Sequence, residues 1–251
     1  HPGRVQICHG PGRGFAANYL TLLAGLPAGD GPVALADQDD VWLPGKLGRA
    51  IYALERIAPG APALYTAGRW IWTPSWDITK AELRHSGKPA FRNALIENIA
   101  PGNTIVLNAA AAAIARQAAP LAEGIFAHDW WLYQLIAGVG GQVICDSARV
   151  VLYRQHTRNA IGAGQGASTH VARKLAVLRG TYRTRLTAQL AGLNNCRMFL
   201  RPSAQMELDK FIAARDQRIP WRLCAMAALR PYRQSPWSSA AFWGATALGK
   251  V

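Results

Sequence analysis

Short apolar runs alternate with helical patterns along residues 1–164. Apolar runs at 5–8, 32–36, 63–65, 104–107, 142–145 and 150–153 predict strands. Apolar positions at helical spacing predict helices over 15–26, about 44–57, 91–98 and 128–137. Alternation of this kind is typical of an α/β fold in which helices flank a mostly parallel sheet. We therefore expect that architecture for the first part of the chain.

The pattern changes after residue 164. Apolar side chains then recur every three or four residues, at Leu175, Leu178, Tyr182, Leu186, Leu190 and Leu193, which predicts one long amphipathic helix. Shorter helices are predicted over 204–214, 221–229 and 239–248. Residues 162–168 are small and flexible, as in a linker. We divide the chain into an α/β domain at 1–164 and a basic helical region at 165–251.

Positive charge is concentrated in the helical region. The chain carries 28 Lys and Arg against 14 Asp and Glu, and residues 165–251 hold 14 of those bases but only 3 of the acids. Such an excess favours a polyanionic partner. An anionic membrane surface, with Trp237, Phe242 and Trp243 as anchors, is one interpretation, and a solvated helix face is the other. No helix-turn-helix, zinc-finger or aromatic RNP pattern indicates nucleic-acid binding.

Cysteine usage and hydropathy bear on location. Cys8, Cys145, Cys196 and Cys224 lie far apart without a C-x-x-C pair, which indicates scattered thiols in a reducing compartment. The uncharged stretch at 234–249 is too short for a bilayer span, and the first residues carry no signal-peptide pattern. We expect a cytoplasmic protein that can lie at the inner face of the cell membrane.

Three carboxylates, Asp37, Asp39 and Asp40, directly follow the apolar run at 32–36. In open α/β sheets, ligands bind beyond the carboxyl ends of the strands. Neighbouring carboxylates repel one another unless a cation neutralises them, and their oxygens suit Mg²⁺ or Mn²⁺ that holds a diphosphate. A polar turn in which Asp40 caps the next helix is the alternative.

A second candidate is Asp129, which stands beside His128, Trp130 and Trp131 at the start of a predicted helix. Trp rings can stack on a sugar while a carboxylate beside them takes a hydroxyl proton. Alternatively, Asp129 serves only to cap the helix or to interact with its dipole.

A third candidate follows the run at 150–153, where Arg154 and His156 could clamp an anion. Guanidinium groups bind phosphate oxygens in forked pairs. Weaker candidates are the polar turn with Asn103 and Thr104, and the glycine-rich loop with Arg13 and the following Asn18.

Taken in order, these segments resemble the rhamnosyltransferase-like branch of glycosyltransferase family 2. The likeness rests on residues 36–44 with Lys46 and Leu47, on 102–104 with Asn108, on 128–131, and on 153–156 with Asn159 and Gly162. It spans about residues 4–162. Four motifs in the same order are more specific than any one of them.

The resemblance implies a GT-A fold and inverting transfer of a sugar, typically L-rhamnose from dTDP-rhamnose, to a hydroxyl of a lipid-linked cell-surface glycan. Asp37 and Asp39 resemble the two acids of a D-x-D motif, and Asp129 resembles the general base. We assign donor binding to Asp37, Asp39, Arg154, His156, Asn18 and Arg13, acceptor binding to Trp130, Trp131, Asn103 and Thr104, and the Mg²⁺ or Mn²⁺ to Asp39 and His156.

Members of that family usually begin with two further strands that bind the nucleotide, and residue 4 already corresponds to their third strand. We therefore expect the chain to be an N-terminally truncated form of the fold. It is then either a fragment of a longer transferase or a chain that has lost donor binding. A noncatalytic remnant that acts as a basic membrane-surface or polyanion-binding module is the alternative to an enzyme.

Overall fold

The computed structural model describes residues 5–73, 78–82, 88–155 and 180–251. Its helices are α1 (Phe15–Ala24), α2 (Lys46–Leu54), α3 (Phe91–Ala94), α4 (Ala109–Ala118), α5 (His128–Gly138), α6 (Thr181–Asn195), α7 (Pro202–Asp216), α8 (Trp221–Leu229) and α9 (Pro236–Ala247). Its strands are β1 (Val33–Ala34), β2 (Val41–Trp42), β3 (Ala63–Thr73), β4 (Ile78–Ala81), β5 (Val106–Leu107) and β6 (Gln142–Arg154). The α/β class is therefore confirmed.

The strands form one mixed sheet in the order β1-β5-β3-β6-β2, with β4 paired to β3. Only β3 and β6 pair in parallel among the described strands, and the other pairings are antiparallel. The expectation of a mostly parallel sheet is wrong. β4 begins five residues after the end of β3, which is too short for the crossover that parallel neighbours need. More generally, the alternation of strands and helices does not fix strand direction.

The two faces of the sheet belong to two hydrophobic clusters. Leu64 and Leu107 contribute to the larger cluster, together with α1, α4 and α5. Their neighbours Tyr65 and Val106 contribute to the smaller cluster beneath α2. This division follows from the strand geometry, in which successive side chains point to opposite faces. The sheet is therefore covered by helices on both sides.

Two strand predictions need correction. Residues 5–8 form no strand, and Val5 and Ile7 are 75% and 91% exposed, because no described strand lies beside this segment to pair with its backbone. The predicted strands at 142–145 and 150–153 form the single strand β6. Asp146 does not interrupt β6, because Tyr65 and Arg49 donate hydrogen bonds to its carboxylate.

The basic region packs directly on the α/β part. Leu186, Leu190 and Leu193 of α6 enter the same hydrophobic cluster as the sheet. Gln189 exchanges hydrogen bonds of 3.1 Å with the backbone N–H and C=O of Ala127, immediately before α5. Helices α7, α8 and α9 confirm the three shorter helices that the sequence predicts. The linker at 162–168 and the beginning of the long helix lie outside the described residues.

The described residues contain no candidate membrane span. None of their helices combines the length and the apolar character that crossing a bilayer requires.

Close packing of α6 makes a testable prediction. A Cβ at Gly192 would lie 2.2 Å from Cγ2 of Ile125, whereas a Cβ at Gly244 of α9 would meet nothing within 4 Å. We expect Gly192→Ala to lower the free energy of unfolding by about 1–3 kcal/mol through overpacking. Gly244→Ala, the matched control, should raise it by roughly 0.5–1 kcal/mol. Urea unfolding measures both, and equal effects would contradict the packing of α6 on Ile125.

Candidate functional site

The acidic turn, residues 37–40, crosses one end of the sheet. The chain leaves β1 at one end of the strand order and enters β2 at the other. Leu35 donates a backbone hydrogen bond of 3.0 Å to Ile105 before the turn, and Leu43 donates one of 2.9 Å to Val150 after it. The carboxylates of the turn therefore lie across the ends of β5, β3 and β6.

Asp40 fastens this turn to two other segments. It accepts a short hydrogen bond from the side-chain amide of Asn103 and one of 3.0 Å from the backbone N–H of Arg154. Burial raises the pKa of Asp40, an effect that these two hydrogen bonds oppose. The alternative in which Asp40 caps the next helix is wrong, because the N-cap of α2 is Gly45. Asp40 is thus the structural member of the acidic turn.

Lys46 is a buried cation behind the acidic turn. Its side chain is 1% exposed, lies 3.4 Å from the ring centroid of Trp42, and donates a hydrogen bond of 2.7 Å to the carbonyl of Asn103. Burial lowers the pKa of its ammonium group to about 8, against the opposing charges of Asp40 and Asp37. Sequence reasoning gave Lys46 no role. Lys46 precedes Ala50 and Leu54, which face the core, by four and eight residues. This helical spacing was the signal in the sequence that Lys46 lies on the buried face of α2.

Tyr19 and His128 join the acidic turn to the start of α5. The Tyr19 hydroxyl lies 2.8 Å from Oδ1 of Asp37 and 2.5 Å from the carbonyl oxygen of Ala36. The tyrosine ring stacks on the imidazole of His128, with centroids 3.7 Å apart and planes 11° from parallel. Burial, reinforced by the charge of Asp37, raises the pKa of Tyr19 well above its usual value. Sequence reasoning missed Tyr19 altogether.

His128 is itself almost fully buried. Within the part of the chain that the structure describes, neither of its ring nitrogens has a hydrogen-bond partner. Burial lowers the pKa of His128, against the opposing charges of Asp129 and Asp37. Burial therefore favours the neutral form of the imidazole, which serves as a flat contact for Tyr19.

Asp129 lies in the first turn of α5, one residue beyond His128. Its Oδ2 accepts a hydrogen bond of 3.2 Å from the backbone N–H of Gly102, and its Oδ1 accepts one of 2.7 Å from that of Trp130. The N-cap of α5 is Ala127, so Asp129 does not cap the helix, but its place in the first turn suits an interaction with the helix dipole. A Cβ at Gly102 would lie 2.9 Å from Nε2 of His128 and 3.3 Å from Cβ of Asp129. Glycine therefore permits the close approach of the two segments.

Arg154 is held beside the acidic turn. Its Nε donates a hydrogen bond of 2.8 Å to the backbone carbonyl of Asp39, and its guanidinium lies 4.8 Å from the ring centroid of Trp72. His156, its predicted companion, lies outside the described residues. Among residues 5–73, 78–82, 88–155 and 180–251, no three His, Cys, Asp or Glu side chains form a group that could hold a metal ion.

Another arginine, Arg69, approaches the same end of the sheet from β3. It forms an ion pair with Glu82, with nitrogen–oxygen distances of 2.8 and 2.6 Å. Its guanidinium also lies 4.2 Å from the ring centroid of Tyr153 and 3.4 Å from Oδ1 of Asn103. Sequence reasoning missed Arg69 because a single arginine within an apolar strand carries no motif.

All four predicted acceptor residues belong to the interior instead. Trp131 is fully buried, and Trp130 donates its indole N–H to the carbonyl of Ala94 at 2.7 Å. Thr104 is also fully buried, and its hydroxyl lies 2.8 Å from the carbonyl of Pro101. The expectation that the two Trp rings form an open wall for a sugar is wrong, because nearly every side chain of α5 is packed in the core. Asn103 is buried too, and it acts by holding Asp40.

Arg13 and Asn18, the two donor-binding candidates at the glycine-rich loop, contact residues outside the acidic turn. Arg13 forms an exposed ion pair with Glu123, and Asn18 packs against Gly10 at the surface. Successive side chains of a helix point about 100° apart. Because Tyr19 of α1 points towards Asp37, the neighbouring Asn18 points away from it. Donor binding by Arg13 and Asn18 stays a prediction.

The buried Lys46 ammonium makes a prediction about pH. From about pH 8 to about pH 10, the folded protein releases this proton while the unfolded chain retains it, so the contribution of Lys46 to stability rises with pH. We expect the free energy of unfolding of the wild type, relative to Lys46→Met, to increase by on the order of 1 kcal/mol over that interval. Urea unfolding of both proteins measures it. A constant difference would show that Lys46 titrates normally.

Comparison of the chain with protein-family models, with curated proteins and with solved structures gives no match in any of the three. Its function is therefore inferred from the residues that the fold brings together. These are Asp37, Asp39, Asp40, Asn103, Asp129 and Arg154, with Tyr19, Lys46, Arg69 and His128 packed around them.

Proposed function

We propose that the chain is an inverting glycosyltransferase that moves a sugar from a nucleotide-diphosphate donor to a hydroxyl group. One observation carries the proposal. Asp37 and Asp129, which are far apart in sequence, are linked at one end of the sheet through the stacked rings of Tyr19 and His128. An inverting transfer needs one charge-neutralised leaving group and one base, and no protein nucleophile. The two carboxylates supply one group for each task.

The donor would bind at the acidic turn. Asp37 and Asp39 offer hard oxygen ligands, and protein sites for Mg²⁺ commonly use one or two carboxylates while phosphates and water complete the shell. These carboxylate ligands fit Mg²⁺ or Mn²⁺ that is held jointly with a diphosphate. When bound, the cation would neutralise the charge on the departing diphosphate. We assign Arg154 to the diphosphate oxygens and His156 to the cation.

Asp129 would act as the general base. It would take the proton of the acceptor hydroxyl as that oxygen attacks the anomeric carbon, while the bond from that carbon to the diphosphate oxygen breaks. A single displacement of this kind inverts the anomeric centre. The backbone N–H groups of Gly102 and Trp130 fix the orientation of the carboxylate. The neutral rings of His128 and Tyr19 set its position relative to Asp37.

The finer identity of the reaction rests on the sequence resemblance to rhamnosyltransferase-like members of glycosyltransferase family 2. We propose a GT-A type of sheet, dTDP-rhamnose as donor, and a lipid-linked cell-surface glycan as acceptor, met at the inner face of the cell membrane. The placement of the acidic turn beside α5 supports this proposal, because donor and acceptor groups must meet within one site.

The role of Asp129 can be tested directly. We expect Asp129→Asn to lower the rate of sugar transfer by about 10²–10⁴-fold, because removal of a general base costs a factor of that size. Donor affinity should stay within about twofold, since the base touches the acceptor and not the diphosphate. Asp30→Asn, at an exposed carboxylate outside the site, is the matched control. Transfer by Asp129→Asn at the parental rate would overturn the assignment.

The cation site has its own test, which is calorimetric titration of the folded chain with dTDP-rhamnose, with and without Mn²⁺. We expect Mn²⁺-dependent binding that Asp39→Asn weakens by about tenfold or more, because the variant loses a charged ligand. Asp30→Asn again serves as the control. Donor binding with the same affinity in the presence and absence of Mn²⁺ would contradict the cation site. Absence of donor binding by the folded chain would contradict the donor site at the acidic turn.

A further inference from the structure

Helix α9 exposes a continuous uncharged face. Trp237, Ala240, Ala241, Gly244 and Leu248 are all exposed, and they follow one another at the three- and four-residue steps of a single helix face. The largest of them, Trp237, is 87% exposed. The opposite face of α9 is buried in the core through Phe242 and Ala245. Phe242 therefore cannot serve as the surface anchor that the sequence suggested.

Helix α8 exposes a similar face beside it. Trp221 is 68% exposed, Ile219 just before it is 54% exposed, and Cys224 and Ala228 continue the uncharged surface. The two helices form an antiparallel hairpin, because Arg222 near the start of α8 donates a hydrogen bond of 3.2 Å to the carbonyl of Thr246 near the end of α9. The hairpin thus presents large apolar side chains at both of its ends.

Positive charge predominates around this hairpin, where the exposed Asp216 just precedes Arg218. Residues 217–251 contain no Asp or Glu, and their charged side chains are Arg218, Arg222, Arg230, Arg233 and Lys250. Arg218 and Arg230 are exposed at the two ends of α8. Arg233 forms an ion pair with Glu97, which leaves Arg218 and Arg230 as the exposed cations that flank the uncharged face.

An uncharged face flanked by cations indicates which kind of partner binds there. A second copy of the chain would bring the same cations against one another, so self-association is opposed by like-charge repulsion. A protein interface concentrates its large anchors near the centre, whereas here the centre is Ala and Gly and the large side chains lie at the ends. Trp side chains favour the boundary between water and hydrocarbon, and basic side chains are attracted to anionic headgroups.

We infer that the α8–α9 hairpin binds the surface of an anionic phospholipid membrane, with Trp221 and Trp237 inserted at the headgroup level and Arg218 and Arg230 against lipid phosphates. The inference stands on exposure and charge, and it does not depend on the proposed sugar transfer. Of the three anchors that the sequence suggested, it keeps Trp237 and replaces Phe242, which is buried, and Trp243, which is half-buried.

Flotation of the full chain with vesicles tests the inference. We expect binding at low salt to phosphatidylcholine vesicles that contain phosphatidylglycerol, and much weaker binding to phosphatidylcholine alone or at high salt. Trp221→Ser combined with Trp237→Ser should lower the partition by about tenfold or more. Met198→Ser combined with Met206→Ser, at two exposed side chains outside the hairpin, should leave it unchanged.

Two pairs of charge reversals distinguish the effect of charge at the hairpin from the effect of the net charge of the protein. Arg218→Glu with Arg230→Glu should abolish most binding to anionic vesicles, whereas Arg56→Glu with Arg201→Glu, an equal change of net charge at other exposed positions, should have a much smaller effect. Equal loss in both pairs would overturn the hairpin as the docking site. So would absence of binding by the wild type, or a dimer in sedimentation that the Trp221→Ser and Trp237→Ser changes dissociate.

Discussion

The segment that joins β1 to β2 constrains the rest of the structure, because it has to cross one whole end of the sheet. It is secured in the middle by Asp40, which binds Asn103 from the turn before β5 and the backbone of Arg154 at the end of β6. Asp40 is half-buried, and hydrogen bonds to its oxygens offset the cost of removing a carboxylate from water. The acidic turn, the 102–104 turn and the end of β6 are therefore held together as one unit.

Two further polar side chains, Lys46 and His128, are buried around that unit, and they differ in charge. Lys46 lies behind Asn103 as a cation whose charge opposes those of Asp40 and Asp37. His128, by contrast, is kept neutral by burial and offers its ring to Tyr19. Asp37 and Asp129 thus accept hydrogen bonds from packed neighbours, Tyr19 and the backbone of Gly102, which is the kind of support that a preorganised site requires.

The basic helical region has two different surfaces. Its buried surface holds the start of α5 through Gln189, so it also supports the helix that carries Asp129. Its outer surface, on α8 and α9, is uncharged between basic ends. The buried contacts contribute to the stability of the site, whereas the outer surface faces away from the core and is available to a partner.

Hydrophobic periodicity was sufficient to place α1, α2, α5, α7 and α8, because the 3.6-residue repeat of a helix is a local property of the chain. The order of the polar motifs was likewise enough to name Asp37 and Asp129 as candidates. Strand direction was not accessible in this way, since it depends on which distant segments pair. The same holds for the burial of Trp131 and for the choice of Tyr19 over Asn18. Each of these is decided by contacts between residues far apart in sequence, which no local pattern encodes.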